Sequence, residues 1–310
     1  MKARLIVVMG KGGVGKTVIS AAMGYALARR GLRTLIIEVG DEDVVNGFFN
    51  DHTGSYQARE VMSGLWTMLI DPWKALSEYG MMKLHFKPFY NLVFGNSMIN
   101  RLMQAVPGLA ELLILGKVGF EVERQVKNRP KWDCVILDLP AMGHGQGILS
   151  IPNAVIATMK TGPMTMEAKA LRNMLTDKRR SSIVMVTLCE MMPVQETLQY
   201  SEVIKSSIDR RPDLMIANRM LPIEMNKYEQ KTAAAMHRAA RRKGLKDMEE
   251  VLDKAMILAR MQDDRKQALQ FLESRIDLPV HGVPMVPVEG LPRIQRIAGQ
   301  VEDWAMKLME

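Results

Sequence analysis

Seven apolar runs constrain this chain more than any other feature: LIVVM (5–9), TLIIEV (34–39), WTMLI (66–70), CVILDL (134–139), IVMVTL (183–188), LMIAN (214–218) and PVHGVPMV (279–286). Most are apolar at consecutive positions, so a strand built from them has no face to give to water. Helix-length segments separate them. That alternation predicts an α/β fold: a mostly parallel sheet, covered by helices on both faces through right-handed crossovers. A chain of 310 residues with 47% hydrophobic and 25% charged residues can pack such a core. No repeat, low-complexity linker or Pro/Gly-rich hinge divides it, so a single domain over 1–310 is expected. Two stretches read as helical insertions into the sheet: about 72–130, rich in Met and aromatics, and about 222–275, long and charged.

The first run leads into GKGGVGKT (10–17), which fits G-x-x-x-x-G-K-[ST] without mismatch and precedes a helical pattern at about 16–30. Each position has a physical task. Gly10, Gly12, Gly13 and Gly15, with Val14 between them, permit backbone angles that turn successive N–H groups toward phosphate oxygens. The helix starting near Lys16 offers the positive end of its dipole to the same anion. Lys16 places a charge on the β- and γ-phosphates, and Thr17 offers a hydroxyl to Mg²⁺. The expected fold is therefore a P-loop NTPase, and the expected ligands are ATP and Mg²⁺.

CVILDLPAMGHG (134–145) is a second informative stretch. Asp138, at the end of a buried strand, stands where such a protein carries the aspartate that holds Mg²⁺, usually through water. Gly143 and Gly145 permit a loop with exposed N–H groups able to sense a γ-phosphate. His144 reads as orienting that loop, because no second metal ligand lies nearby.

The rest of the composition mainly excludes. Cys134 and Cys189 lie in apolar runs and read as reduced, buried thiols of central strands. Without a CxxC or Cys/His cluster, no zinc or iron–sulfur site is expected. The short apolar run after MKAR passes into a glycine loop instead of a small-residue cleavage site, and no stretch approaches the ~18 apolar residues of a membrane span. A cytoplasmic location without a transmembrane segment is expected. The formal charge is +8, and the densest basic run, HRAARRKGLK (237–246), sits on a helical pattern. It reads as a solvated basic face, which argues against nucleic acid.

GKGGVGKT, IDPWKALSEY (70–79), PGLAELLILGKV (107–118), DLPAMGHG (138–145), VTLCEMMPVQETL (186–198), IANRMLP (216–222) and VPMVPVEGL (283–291) together resemble the arsenite-pump ATPase family, which includes the ATPases that target tail-anchored membrane proteins. They span almost the whole chain in the family's order. The position of Lys11 resembles the signature lysine of the deviant Walker A class, which reaches the partner's nucleotide across a dimer. The resemblance implies a homodimer, or a heterodimer with a paralogous ATPase. It also implies that Gly10 through Thr17 hold the phosphates, that Thr17 and Asp138 serve the metal, and that Glu190 sits near the nucleotide and interface. Asn218 would bond the adenine, and the segment around Pro287 would flank the base.

Two departures stand out. The family's water-orienting aspartate falls at Gly40 in a gapless reading of EVGDED (38–43), with Asp41 or Glu38 as the nearest substitutes; a water-orienting group tolerates misplacement of only about 1 Å. Met142 replaces the Thr before Gly-His in the second switch. The family's arsenite-binding cysteines and the zinc-binding CxxC are absent, so neither a metalloid nor a zinc site is expected.

The leading functional reading is an ATP-dependent dimeric switch acting on a protein partner, slow or defective in hydrolysis. A positioning or partition ATPase acting on DNA or membrane, a non-hydrolysing regulatory subunit of a paralogue pair, and a P-loop metabolic enzyme remain alternatives. Of the 27 methionines, many cluster at 81–103 and 159–192. Core filling is favoured over a client groove, because Met9, Met185, Met215 and Met285 fall in expected strands.

Overall fold

The computed structural model describes residues 4–40, 43–49, 54–76, 78, 108–159, 161–221 and 224–310, with 142–147 and 163 described by backbone only. In chain order the elements are β1 (Arg4–Met9), α1 (Lys16–Arg29), β2 (Thr34–Val39), α2 (Val44–Gly47), β3 (Arg59–Met62), β4 (Leu65–Ile70), α3 (Leu109–Glu123), β5 (Gln125–Val126), β6 (Arg129–Pro130) and β7 (Cys134–Asp138). There follow α4 (Met142–Thr158), α5 (Pro163–Thr176), β8 (Ser181–Leu188), α6 (Met191–Ile208), β9 (Leu214–Met220), α7 (Lys227–Lys243), α8 (Lys246–Glu273), β10 (Val280–Pro284) and α9 (Leu291–Lys307).

Eight strands form one sheet in the order β10-β9-β8-β1-β7-β2-β4-β3, parallel throughout except where β3 runs against β4. The consecutive apolar positions divide by period two. Leu5, Val7, Met9, Leu35, Ile37, Val135, Leu137, Ile183 and Met185 enter a core shared with α3, α4, α5, α6 and the far end of α8. Ile6, Val8, Ile36, Ile136, Val184 and Val186 enter a second core beneath α1 and α9. Both faces are thus covered, as runs without a polar alternation require.

Helix α1 lies tight on the sheet. A Cβ on Gly24 would stand 2.6 Å from Ile36 Cδ1, so the glycine is what lets the helix approach. Helix α9 buries Ile294, Ile297, Ala298, Val301 and Ala305 at helical spacing against α1 and the sheet.

Several elements differ from expectation. Strand β3, REVM, is half exposed and antiparallel at the sheet edge, so it carries no apolar run to announce it. Within 72–130, α3 is joined by a two-stranded hairpin, β5–β6. Its turn residues Lys127 and Asn128 both have positive φ (49° and 61°), the geometry that matches the strands' twist. Residues 77 and 79–107 of that stretch lie outside the described residues. The described part of the 222–275 stretch is helical, as expected, and forms a hairpin of α7 and α8. Cys189 lies just beyond β8 instead of inside it. Strand β10 ends at Pro284, so Met285 is not a strand residue and is 48% exposed, whereas Met9, Met185 and Met215 are buried. No helix of the described residues is long and apolar enough to cross a membrane.

Candidate functional site

Parallel strands place their C-terminal ends along one edge of the sheet. Helix α1 carries the chain from β1 toward β2, whereas β8, β9 and β10 lie on the other side of β1. Strand order reverses at β1, and open α/β sheets bind ligands at the carboxyl edge of such a point. The glycine loop 10–15 stands there.

The loop's shape follows from its neighbours. A Cβ on Gly10 would lie 2.2 Å from the Val186 carbonyl oxygen, so only glycine lets β1 leave the sheet beside β8. Gly15 caps α1 with φ 93° and ψ 28°, a left-handed turn that presses against the Asn218 amide. Val14 is buried and anchors the loop from inside. Gly12 and Gly13 have room above them: a Cβ at Gly12 would make ordinary contact with Ala141, and one at Gly13 would meet nothing. No side chain caps α1, so the N–H groups of its first turn remain without a helix partner and face the loop.

Lys16 is 8% exposed and donates from Nζ to the Lys11 carbonyl oxygen at 3.0 Å. Burial lowers its pKa, and the Asp138 charge partly offsets this. Asp138 is 4% exposed and accepts from Ser20 Oγ at 3.0 Å and from the Thr17 hydroxyl. Burial pushes its carboxyl up to about 6, against the pull of Thr17, Ser20 and Lys16. Glu38 stands beside Asp138 across the β2–β7 pairing and is likewise buried. Burial pushes it up to about 7, with the charges of Asp138 and Asp43 adding to the shift. The Val44 and Val45 N–H groups at the start of α2 donate to it at 3.2 and 3.1 Å and oppose the shift. Asp43 caps the same helix.

The other sequence-predicted residues fall around this centre. Lys11 pairs with Glu196 of α6, Nζ to carboxylate oxygen 2.7 Å, in a half-exposed contact. Asn218, at the end of β9, donates from Nδ2 to the Val14 carbonyl at 2.8 Å and accepts from Arg219 N–H at 2.9 Å. Glu190 is the exposed residue just before α6, and Pro287 is exposed between β10 and α9. Gly40 follows β2 with nothing near its Cα substituent position. Asp41 lies outside the described residues. Gly143 and Gly145 belong to the first turn of α4 and not to a loop, because the helix starts at Met142. The Gly143 N–H still opens at a helix N-terminus that has no side-chain cap, whereas Gly145 stands where the intrahelical bonds begin.

Two participants escaped the sequence reading. Ser20, one turn beyond Thr17 on the buried side of α1, was signalled only by its i, i+3 spacing. Glu196, the partner of Lys11, is 185 residues away and carried no local signal.

The set fits a phosphate-bearing ligand with a hard cation. It combines a glycine cradle, an open helix N-terminus and a buried lysine. The hydroxyl of Thr17 and the buried carboxylate of Asp138 suit a cation that keeps water and ligand oxygens. Among the described residues, no group of three or more His, Cys, Asp or Glu gathers into an all-protein metal site.

Comparison with known proteins identifies the family of the chain. A family described as anion-transporting ATPase matches residues 3–165 and 161–274. The ATPase BagA of Mycobacterium tuberculosis is 30% identical over 243 residues, covering 74% of this chain and 69% of that protein. The arsenical pump-driving ATPase of Escherichia coli is 26% identical over 247 residues, 74% of this chain and 41% of its own length. The ATPase ASNA1 homolog 1 of Paramecium tetraurelia is 30% identical over 149 residues, 48% of this chain and 43% of that protein. The chain belongs to the anion-transporting ATPase family.

Proposed function

We propose that this chain is a nucleotide-driven switch that binds Mg·ATP in the 10–17 loop, works as a dimer on a protein partner, and hydrolyses ATP slowly. The observation that carries the reading is Lys16. It is an ammonium buried at the mouth of a glycine cradle, and its hydrogen bond among the described residues goes to a backbone carbonyl of the same loop. A charge so desolvated, and without an ion pair among the described residues, is matched by an anion seated in the cradle.

In this reading the loop N–H groups and the first turn of α1 hold the phosphates, and Lys16 turns from the Lys11 carbonyl to the β- and γ-oxygens. Thr17 and Asp138 hold Mg²⁺, directly and through water, with Ser20 keeping the Asp138 carboxylate in place. Asn218 has a second amide hydrogen left for a base, and Pro287 lies beyond it. Lys11 leaves Glu196 to reach the nucleotide of a second subunit, whether an identical chain or a paralogue. Bound nucleotide supplies the charge that joins the two halves.

Slow hydrolysis rests on Glu38 and Gly40. Gly40 offers no side chain to orient water. Glu38, at the end of the same strand, is held by two N–H groups of α2, and burial pushes its carboxyl up to about 7. The same observation favours a second reading, in which the chain is the non-hydrolysing member of a pair with a competent paralogue.

ATP binding and turnover by the purified protein with Mg²⁺, beside Lys16→Ala, test the proposal. Micromolar or tighter binding lost in Lys16→Ala, with turnover far below one per second, supports it. Absence of nucleotide binding removes it. Fast turnover removes the slow-hydrolysis part alone.

A further inference from the structure

Helices α7 and α8 form an arm. The contacts of α7 are chiefly with α8, and α8 in turn packs on α6. The buried positions of α8 that reach the sheet core, Ala268 and Leu272, lie at its far end. Leu245, at the turn between the helices, is therefore about 35 Å along the axis from Ala268 at 1.5 Å per residue. Gly244, with φ 64°, reverses the chain there.

The tip of this arm combines two properties. Leu245, Met248 and Val251 are 46%, 46% and 65% exposed, and they recur at three-residue spacing on one side of the helix. Residues 237–248 also carry five cations, Arg238, Arg241, Arg242, Lys243 and Lys246, against one carboxylate, Asp247. The next three acidic residues of α8 are engaged: Glu249 faces Arg241, Glu250 pairs with Lys254, and Asp253 pairs with His237. Arg238, Arg242, Lys243 and Lys246 form no ion pair among the described residues.

We propose that the tip of the α7–α8 arm docks on an anionic membrane surface, with Leu245, Met248 and Val251 entering the headgroup region and the surrounding cations meeting lipid phosphates. A surface of large apolar side chains ringed by lysine and arginine matches an interface that is apolar inside and negative outside. Duplex nucleic acid would satisfy the cations and leave the apolar residues in water. A second copy docked tip to tip would oppose four unpaired cations with four more. The inference does not depend on nucleotide binding, which serves as a control.

Flotation with vesicles of phosphatidylcholine alone and of an equal mixture with phosphatidylglycerol tests it. The full chain is expected to bind the anionic vesicles, to leave neutral ones free, and to be released by rising salt. The pair Leu245→Ser/Met248→Ser and the pair Arg242→Gln/Lys243→Gln should each weaken binding about tenfold. Lys178→Gln/Arg179→Gln, which removes the same charge from another exposed turn, should not. Retained circular dichroism and nucleotide binding show that the variants are folded. Absence of vesicle binding, or equal loss in the control pair, overturns the proposal. So does binding to duplex DNA that ignores the serine substitutions. A tip-dependent change of mass in light scattering without vesicle binding overturns it in favour of an arm–arm contact.

Discussion

Glu38 and Asp138 are direct neighbours across the parallel pairing of β2 and β7, two buried carboxylates on the face of the sheet that α1 covers. Neither is paired with a cation in a salt bridge among the described residues. Burial raises both, Glu38 to about 7 and Asp138 to about 6. The fold therefore holds protons at its ligand edge that the unfolded chain would release.

That proton has a measurable sign. A carboxyl raised in the folded state contributes stability below its unfolded pKa and loses it as pH rises through the folded value. For Glu38 the window runs from about 4.5 to about 7. Stability should fall across it by on the order of 2 kcal/mol. Glu38→Gln should flatten the decline, matching the parent near pH 5 and exceeding it near pH 8. Urea midpoints at several pH values decide this; parallel curves for the two proteins would mean that Glu38 titrates normally.

Gly10→Ala should destabilise the protein by about 3 kcal/mol or more, because its methyl would stand 2.2 Å from the Val186 carbonyl of a central strand that cannot yield. Gly12→Ala meets only Ala141 Cβ at 3.4 Å and should cost less than about 1 kcal/mol. Denaturant unfolding of the two variants separates a packing requirement at Gly10 from a general need for glycine in the loop.

The sheet was legible because its inner strands are apolar at consecutive positions, which helices do not require at such short length. Strand β3 and the β5–β6 hairpin were not, since their residues are short, charged and half exposed. At the site, the loop and Asp138 could be read because local order of strand, loop and helix carries them. The fate of Glu38 could not. It depends on the register that sets it beside Asp138 and on α2 folding back to cap it, neither of which leaves a periodic trace. The Lys11–Glu196 pair joins segments 185 residues apart and was equally hidden.

Asp138→Asn should separate the metal from the nucleotide. Asparagine keeps the size and can still accept from Ser20, so the fold should hold and gain stability above pH 6, where the buried charge is removed. If Asp138 serves Mg²⁺, the metal's enhancement of ATP affinity should shrink at least about tenfold, while metal-free binding stays close to the parent. Titration calorimetry with and without Mg²⁺ gives both numbers. An unchanged Mg²⁺ effect would remove Asp138 from the metal site.

The pair Lys11–Glu196 is half exposed, and breaking it should cost the fold less than about 1 kcal/mol. Its consequence lies in association. If Glu196 restrains Lys11 until a second subunit arrives, Glu196→Gln should release the lysine and raise the dimer fraction at limiting Mg·ATP. Lys11→Gln should abolish the nucleotide-dependent part of dimer formation while ATP still binds each chain. Light scattering over a range of concentrations, with and without Mg·ATP, measures both. A dimer fraction indifferent to both substitutions would mean that Lys11 and Glu196 merely fasten the loop to α6, and that any subunit contact is made elsewhere.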